Sequence, residues 1–265
     1  MYAFKYQRAA SIEAAAASLG AAPEAKLLAG GQSLIAAMKL RLADNGEIID
    51  LGAIQGLSGI VVEGKTVTIG ALTRHAEVAA SPAVRAAIPA LAALAGGIAD
   101  RMVRNMGTIG GSVANNDPSA DYPAGLLALG ATVVTNRRRI AADDFFTGMF
   151  ETALEAGEII TAVSFPVPLR AAYMKFKNPA SRYAIVGVFV ADLGSGVRVA
   201  VTGAAPCVFR VPAMEAALTT NFAPAAIAAI IIPEEGLNSD LHAQADYRAH
   251  LVTVMAMRAV EAAAT

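Results

Sequence analysis

The apolar positions change period along the chain, and the period marks the elements. Ile12, Ala15, Ala16 and Leu19 recur at helical spacing behind Ser11, a residue type that caps helix starts, and Gly20 ends the run. Residues 26–29 and 47–51 are short apolar runs of strand length, and a helix is expected to begin near Leu34. The first fifty residues therefore predict a small strand–loop–helix–strand unit. Residues 59–62 and 66–69 flank Glu63-Gly64-Lys65 and read as a hairpin. A helix over 84–95, interrupted near its start by Pro89, leads to Gly96-Gly97 and an irregular stretch. Residues 126–135 lead into a strand, Arg137-Arg138-Arg139 reads as an exposed turn, and 158–165 reads as a further strand.

Pro166-Val167-Pro168 then punctuates the chain, because proline stops both ladder pairing and helix. Beyond it, residues 173–177, 184–191 and 196–203 read as strands of one sheet. Residues 223–232 and 247–263 read as helices, the latter with Tyr247, Leu251, Val254 and Met255 on one face. The expected fold class is α+β. A first domain is expected over residues 1–170, in two lobes of about 1–55 and 56–170, and a second over 171–265.

Composition changes this picture mainly by exclusion. Hydrophobic residues make up 55% of the chain, with alanine supplying much of the share. The longest apolar stretches, 86–99 and 222–233, contain proline and fall short of the roughly 20 residues of a membrane-spanning helix. No continuous apolar segment follows the basic residues near Met1, so no signal peptide is expected and a cytoplasmic protein fits best. A net charge of −1 without a long basic run gives no reason to expect a nucleic-acid partner. Cys207 stands alone, which rules out an intrachain disulfide and any cysteine-ligated zinc or iron–sulfur site built by this chain alone. His75, His242 and His250 are scattered without metal-ligand spacing, and no metal site is expected. Redox chemistry would need an organic cofactor.

Two segments carry candidate chemistry. In Lys26-Leu27-Leu28-Ala29-Gly30-Gly31-Gln32-Ser33-Leu34, an expected strand runs into two glycines and a hydroxyl residue ahead of an expected helix. Glycines let backbone N–H groups approach an anion closely, and a helix start adds partial positive charge. The same stretch also reads as an ordinary strand-to-helix turn. The second segment runs from Arg104 to Asp121 and contains Gly107-Thr108-Ile109-Gly110-Gly111-Ser112, Asn115, Asn116 and Asp117-Pro118-Ser119-Ala120-Asp121. Its amides and hydroxyls suit a pyrophosphate, and a carboxylate such as Asp121 suits ribose hydroxyls; a purely structural cluster of turns is the other reading. Neither segment matches G-x-G-x-x-G or the P-loop, which disfavours a Rossmann dehydrogenase or a kinase. Two separated glycine loops point instead to one long ligand clamped between two small lobes.

At these residues the sequence resembles the FAD-binding (medium) subunit of molybdenum hydroxylases, the family of carbon monoxide dehydrogenase and xanthine dehydrogenase, over essentially the whole chain. The resemblance implies a vanillyl-alcohol-oxidase-type FAD domain of two lobes, followed by a C-terminal antiparallel sheet with helices. It implies that residues 27–34 and 108–112 hold the pyrophosphate of non-covalently bound FAD, with Asn115 as a polar contact and Asp121 near the ribose. Ile98 and Ile160 resemble positions of backbone contact to the adenine end, though their side chains also read as plain core. Either Lys175 or Lys177 resembles a lysine near the flavin, and Tyr183 an aromatic residue covering its ring; a buried strand tyrosine is the alternative. No acid, base or nucleophile is implied. The molybdenum cofactor and two [2Fe–2S] clusters would belong to large and small partner subunits, in a dimer of heterotrimers that delivers electrons to FAD here and on to an external acceptor. A free-standing flavin oxidase or reductase, and a non-catalytic nucleotide-binding module, are the competing classes.

Overall fold

Ser11 caps the first helix. In the computed structural model, which describes residues 1–264, its hydroxyl accepts from the Ala14 amide at 3.2 Å. Strand β1 (Lys5–Arg8) precedes this helix, α1 (Ile12–Ala21), and β2 (Ala25–Leu28), α2 (Leu34–Lys39) and β3 (Glu47–Asp50) follow. The three strands pair in parallel in the order β1-β3-β2. β1 has no apolar alternation because it is an exposed edge strand, held partly by Tyr6 Oη donating to Asp50 Oδ2 at 2.5 Å. Ala15, Ala25, Ile49 and Leu51 form the small core beneath.

The second sheet is antiparallel. The hairpin of β4 (Ile60–Glu63) and β5 (Thr66–Gly70) turns at Gly64, whose φ of +57° suits glycine. The apolar run expected as one interrupted helix is broken at Ile88 into two. After α3 (His75–Ala80) come α4 (Pro82–Ala87) and α5 (Pro89–Gly96), each with proline in its first turn, where its missing N–H costs nothing. The stretch expected to be irregular instead carries α6 (Arg101–Met106), and the polar segment after it carries α7 (Ile109–Asn115) and α8 (Tyr122–Leu129). Strands β6 (Thr132–Thr135) and β7 (Arg139–Ala141) follow, then α9 (Ala142–Phe145) and the small hairpin β8 (Phe146–Gly148) with β9 (Glu151–Thr152). β10 (Ile160–Pro166) fills the centre of the order β4-β5-β10-β6-β7.

The remaining strands, β11 (Arg170–Lys177), β12 (Ala184–Asp192), β13 (Val197–Thr202) and β14 (Phe209–Arg210), form an antiparallel sheet in sequence order. β12 reads as an unbroken apolar run because it is covered on both faces. Val186, Val188 and Val190 face α10 (Pro212–Thr220) and α11 (Ala245–Ala264), while Phe189 and Ala191 join the core around α8. α8 is buried at all eight of its residues and packs between the second and third sheets, which accounts for its lack of amphipathic pattern.

Two expectations about the C-terminal helices need correction. Residues 223–232 are not a helix; a single 3-10 turn, Pro224–Ala226, replaces it. Alanine propensity favours helix there, yet a short helix is marginal in water without packing, and Ile231 is 88% exposed. In α11 the buried face is Arg248, Leu251, Val252, Met255 and Ala259, so Leu251 and Met255 were in phase, whereas Tyr247 faces outward against Phe176.

Candidate functional site

The two glycine segments touch, although about eighty residues separate them in the chain. An ideal Cβ on Gly30 would lie 2.2 Å from the Met106 carbonyl oxygen and 2.7 Å from Gly107 Cα, so only glycine permits this approach. Gly31 has φ +71°, the second place in this loop where glycine is required. Leu27 and Leu28 are half-buried in β2, Ala29 lies 3.7 Å from an ideal Cβ on Gly111, and Leu34 opens α2. Among the described residues no acceptor is found for the amides of Gly30, Gly31, Gln32 and Ser33. The Ser33 hydroxyl makes no cap bond, and both Gln32 and Ser33 are exposed. Four consecutive unpaired N–H groups in one turn form a concave donor surface suited to an anion.

The second segment spends its backbone donors differently. Ile109 N donates to Thr73 O at 3.1 Å and Gly110 N to Ala71 O at 2.8 Å; Gly111 N meets Thr108 Oγ1 at 3.2 Å, and Ser112 N meets Thr108 O at 3.0 Å. These bonds seat α7 on the strand end at Ala71, an approach that requires glycine at 110, where an ideal Cβ would lie 2.6 Å from Ala71 Cβ. What remains to meet a ligand is side-chain chemistry: Ser112 and Asn115 are half-buried, one helical turn apart, and neither side chain has a hydrogen-bond partner among the described residues. Asn116 is structural. It closes α7 in the left-handed region (φ +41°) and donates to Gly148 O and Glu151 O at 2.8 and 2.7 Å. Beneath Gly107, burial and the Arg104 guanidinium hold the His75 imidazole down to about 4, so it is neutral at pH 7.

A buried charged cluster lies at the end of the second segment. Asp121 is 5% exposed and accepts from Lys175 Nζ at 3.0 Å and from Tyr173 Oη. Burial pushes its carboxyl upward against the opposing pull of Lys175 and Tyr173. Lys175 Nζ also donates to Gly97 O at 2.9 Å and Arg182 O at 3.1 Å. Between the two lysines left open by the sequence, Lys175 is the interior one; Lys177 is exposed at the strand end, beyond a pairing irregularity after Phe176. Tyr183 is 47% exposed, contrary to a buried strand tyrosine, and beside it opens a cavity of about 280 Å³ also lined by Asp117, Ser119, Asn178 and His242. Burial, with Asp117 and Asp121 nearby, raises its phenol.

Ile98 and Ile160 are held within the protein. The Ile98 carbonyl accepts from Arg104 Nη1 at 2.7 Å and its amide reaches Ala95 O at 3.3 Å. Ile160 is buried in the second sheet opposite Thr135. Residues to which the sequence reasoning gave no role at this site include His75, Tyr173 and Arg182. Tyr173 was within reach, because strand alternation puts it on the same face as Lys175. The others are brought in by chain crossings that no local pattern announces.

A glycine-lined, amide-rich cradle between an N-terminal parallel sheet and an antiparallel sheet defines a nucleotide-cofactor-binding protein with an α+β fold. Residues 2–168 match the family model described as the FAD-binding domain in molybdopterin dehydrogenase. Over 98% of this chain and 96% of the relative, the sequence is 39% identical to the carbon monoxide dehydrogenase medium chain of Hydrogenophaga pseudoflava. It is 40% identical to the nicotine 6-hydroxylase medium subunit of Paenarthrobacter nicotinovorans over 97% and 96% of the two chains. The fold superposes with a TM-score of 0.90 on the solved structure of the Hydrogenophaga pseudoflava enzyme lacking the Mo-pyranopterin moiety, at 38% identity, covering 99% of this chain and 97% of that one. The chain belongs to the family of FAD-binding medium subunits of molybdenum hydroxylases, and it is an oxidoreductase subunit.

Proposed function

We propose that this chain is the electron-transfer subunit of a molybdenum hydroxylase, binding FAD without a covalent link between its two glycine segments. The observation that carries the site assignment is the run of unpaired amides from Gly30 to Ser33 beside the second segment. These N–H groups hold the pyrophosphate, with the Ser33 and Ser112 hydroxyls and the Asn115 amide completing the polar shell. Leu27, Leu28, Ala29 and Leu34 shape that loop. Ile109, Gly110 and Gly111 contribute by placing α7, since their amides are engaged within the protein, and Thr108 caps that helix through its hydroxyl. Ile98 and Ile160 stand at the adenine end as backbone contacts, their side chains belonging to the core. Asp121 stands near the ribose and Lys175 near the flavin, and Tyr183 covers the ring. When bound, FAD supplies the redox chemistry, taking electrons from a partner's [2Fe–2S] clusters and releasing them to an external acceptor.

The assignment divides the chain into an FAD-binding domain over 1–170, with lobes at about 1–55 and 56–170, and a C-terminal domain over 171–265. The partners are a molybdenum-cofactor large subunit and a [2Fe–2S] small subunit, assembled as a dimer of heterotrimers in the cytoplasm. Among the described residues no helix is long and apolar enough to cross a membrane. Met102 and Met106 lie on one face of α6 at 76% and 50% exposure, next to the Gly30 contact, an apolar surface of the kind a partner subunit covers. Absorption spectra of the complex from its native source and of the chain alone test the proposal. Flavin bands near roughly 370 and 450 nm that are released as FAD on denaturation, with iron–sulfur absorbance only in the complex, are expected. A colourless chain that takes up no added FAD would overturn it.

A further inference from the structure

We propose that Lys175 is a positioning residue: it latches the loop that carries Tyr183 onto the FAD-binding half of the chain, so that Tyr183 covers the flavin in one fixed pose. The inference rests on the flavin reading above and deepens it, because Lys175 acts through Tyr183 rather than by touching the cofactor. An ammonium has three protons, and three protein acceptors take them: Gly97 O, Asp121 Oδ2 and Arg182 O, at 2.9, 3.0 and 3.1 Å. With its side chain 8% exposed, Lys175 has no proton left to offer a ligand.

The three acceptors come from three different segments: the end of α5, the end of the second glycine segment, and the loop between β11 and β12. The third is the informative one, since the Arg182 carbonyl belongs to the peptide bond that supplies the Tyr183 amide. That loop is closed on itself. Asn178 N donates to Tyr183 O at 2.8 Å, Arg182 N to Asn178 O at 2.9 Å, and Tyr183 N to Ser181 Oγ at 3.3 Å. Asn178 Oδ1 accepts from the Ala180 and Ser181 amides. These bonds set the loop's shape but not its placement. Placement against the FAD-binding half falls to Lys175: the other hydrogen bonds to that half, Arg182 Nη1 to Ala99 O and Ala184 N to Ser119 O, are both 3.4 Å long, and the 3.3 Å contact of Asn178 Nδ2 with His242 Nδ1 ties the loop to the C-terminal half instead. Arg182 and Ala99 sit at φ +64° and +40°, a left-handed conformation disfavoured for both residue types, which persists where the surroundings enforce it.

The test uses the full-length chain loaded with FAD. Removing Lys175 alone strands the buried Asp121 carboxylate and endangers folding, so the main variant is K175M/D121N, in which the carboxamide oxygen introduced at position 121 still accepts the Tyr173 hydroxyl. Y183L serves as reference. An electron-rich phenol in contact with a flavin quenches its emission, so the fluorescence lifetime of bound FAD reports the pose of Tyr183. Expected are a short lifetime in the native chain, a severalfold longer one in Y183L, and a similarly lengthened one in K175M/D121N, with FAD affinity within about tenfold of that of D121N alone. A native lifetime in K175M/D121N beside a long one in Y183L overturns the latch. Loss of FAD binding in K175M/D121N beyond about a hundredfold relative to D121N alone also overturns it, since Lys175 would then contact the cofactor directly. A Y183L lifetime equal to the native one overturns the covering role, and the latch with it, while FAD uptake leaves the flavin reading standing. Failure of the native chain to bind FAD is the separate outcome that removes the flavin reading itself.

Discussion

Replacing Gly30 with alanine tests the contact between the two glycine segments most directly. The added methyl would sit 2.2 Å from Met106 O, 2.7 Å from Gly107 Cα and 2.8 Å from Met106 C, and all three are backbone atoms that no rotamer change can move aside. Ordinary contacts need roughly 3.5 Å, so the segments must separate by about 1 Å. Overpacking of that size costs about 1–3 kcal/mol, which for a chain of this length lowers the melting temperature by roughly 2–10 °C. The same shift moves the four unpaired amides away from the second segment, and FAD affinity is expected to fall about tenfold or more. Differential scanning fluorimetry without FAD and fluorescence titration with it separate the two effects. Gly20→Ala is the control: an ideal Cβ there meets nothing within 4 Å, and an exposed helical alanine gains about 0.5–1 kcal/mol over glycine. G30A indistinguishable from the native chain in both assays would refute the idea that the segments touch through Gly30.

Acid should destabilise the chain in two steps. His75 has its folded pKa lowered to about 4 by burial and Arg104, so the unfolded chain binds its proton more readily; stability is full above pH 6.5 and falls by roughly 3 kcal/mol as pH drops from 6.5 to 4. Urea unfolding of H75L should lose that limb, and an unchanged pH profile would count against it. Glu158 is held down to about 2, chiefly by Arg138, so its stabilisation is present above pH 4.5 and is lost between 4.5 and 2. Arg138→Met leaves this buried carboxylate without its guanidinium and is expected to lower stability in urea melts at pH 7, a loss that should shrink in acid; an equal loss at about pH 3 would count against it. Asn116→Ala should cost about 2–4 kcal/mol in urea melts, combining two lost hydrogen bonds with left-handed strain, and Asn116→Gly about 1 kcal/mol less. Equal losses for the two would refute the strain contribution.

Local sequence determined what depends on neighbours in the chain. The Ser11 cap, the Gly64 turn and the apolar run of β12 follow from residue types within a few positions of one another, and each is found in the structure. The glycine pairs also announced places where backbone needs room, and the resemblance they carry named the family. Tertiary structure decided what depends on which segments meet. Alanine-rich residues 223–232 had helical propensity but little surface to bury, so packing left a single 3-10 turn. Tyr247, expected on the apolar face, points outward while its neighbour Arg248 is buried, because the guanidinium finds Ile185 O, Gly203 O and Asp240 inside. Both glycine segments promised backbone amides, yet the first leaves four in a row unpaired, while in the second Thr73, Ala71 and Thr108 take those of residues 109–112. The choice between Lys175 and Lys177 likewise waited on Gly97, Asp121 and Arg182 arriving around one ammonium. The reason is common to all of these: hydrogen-bond capacity is a property of the residue, but whether it is spent internally is settled only when distant segments come within about 3 Å.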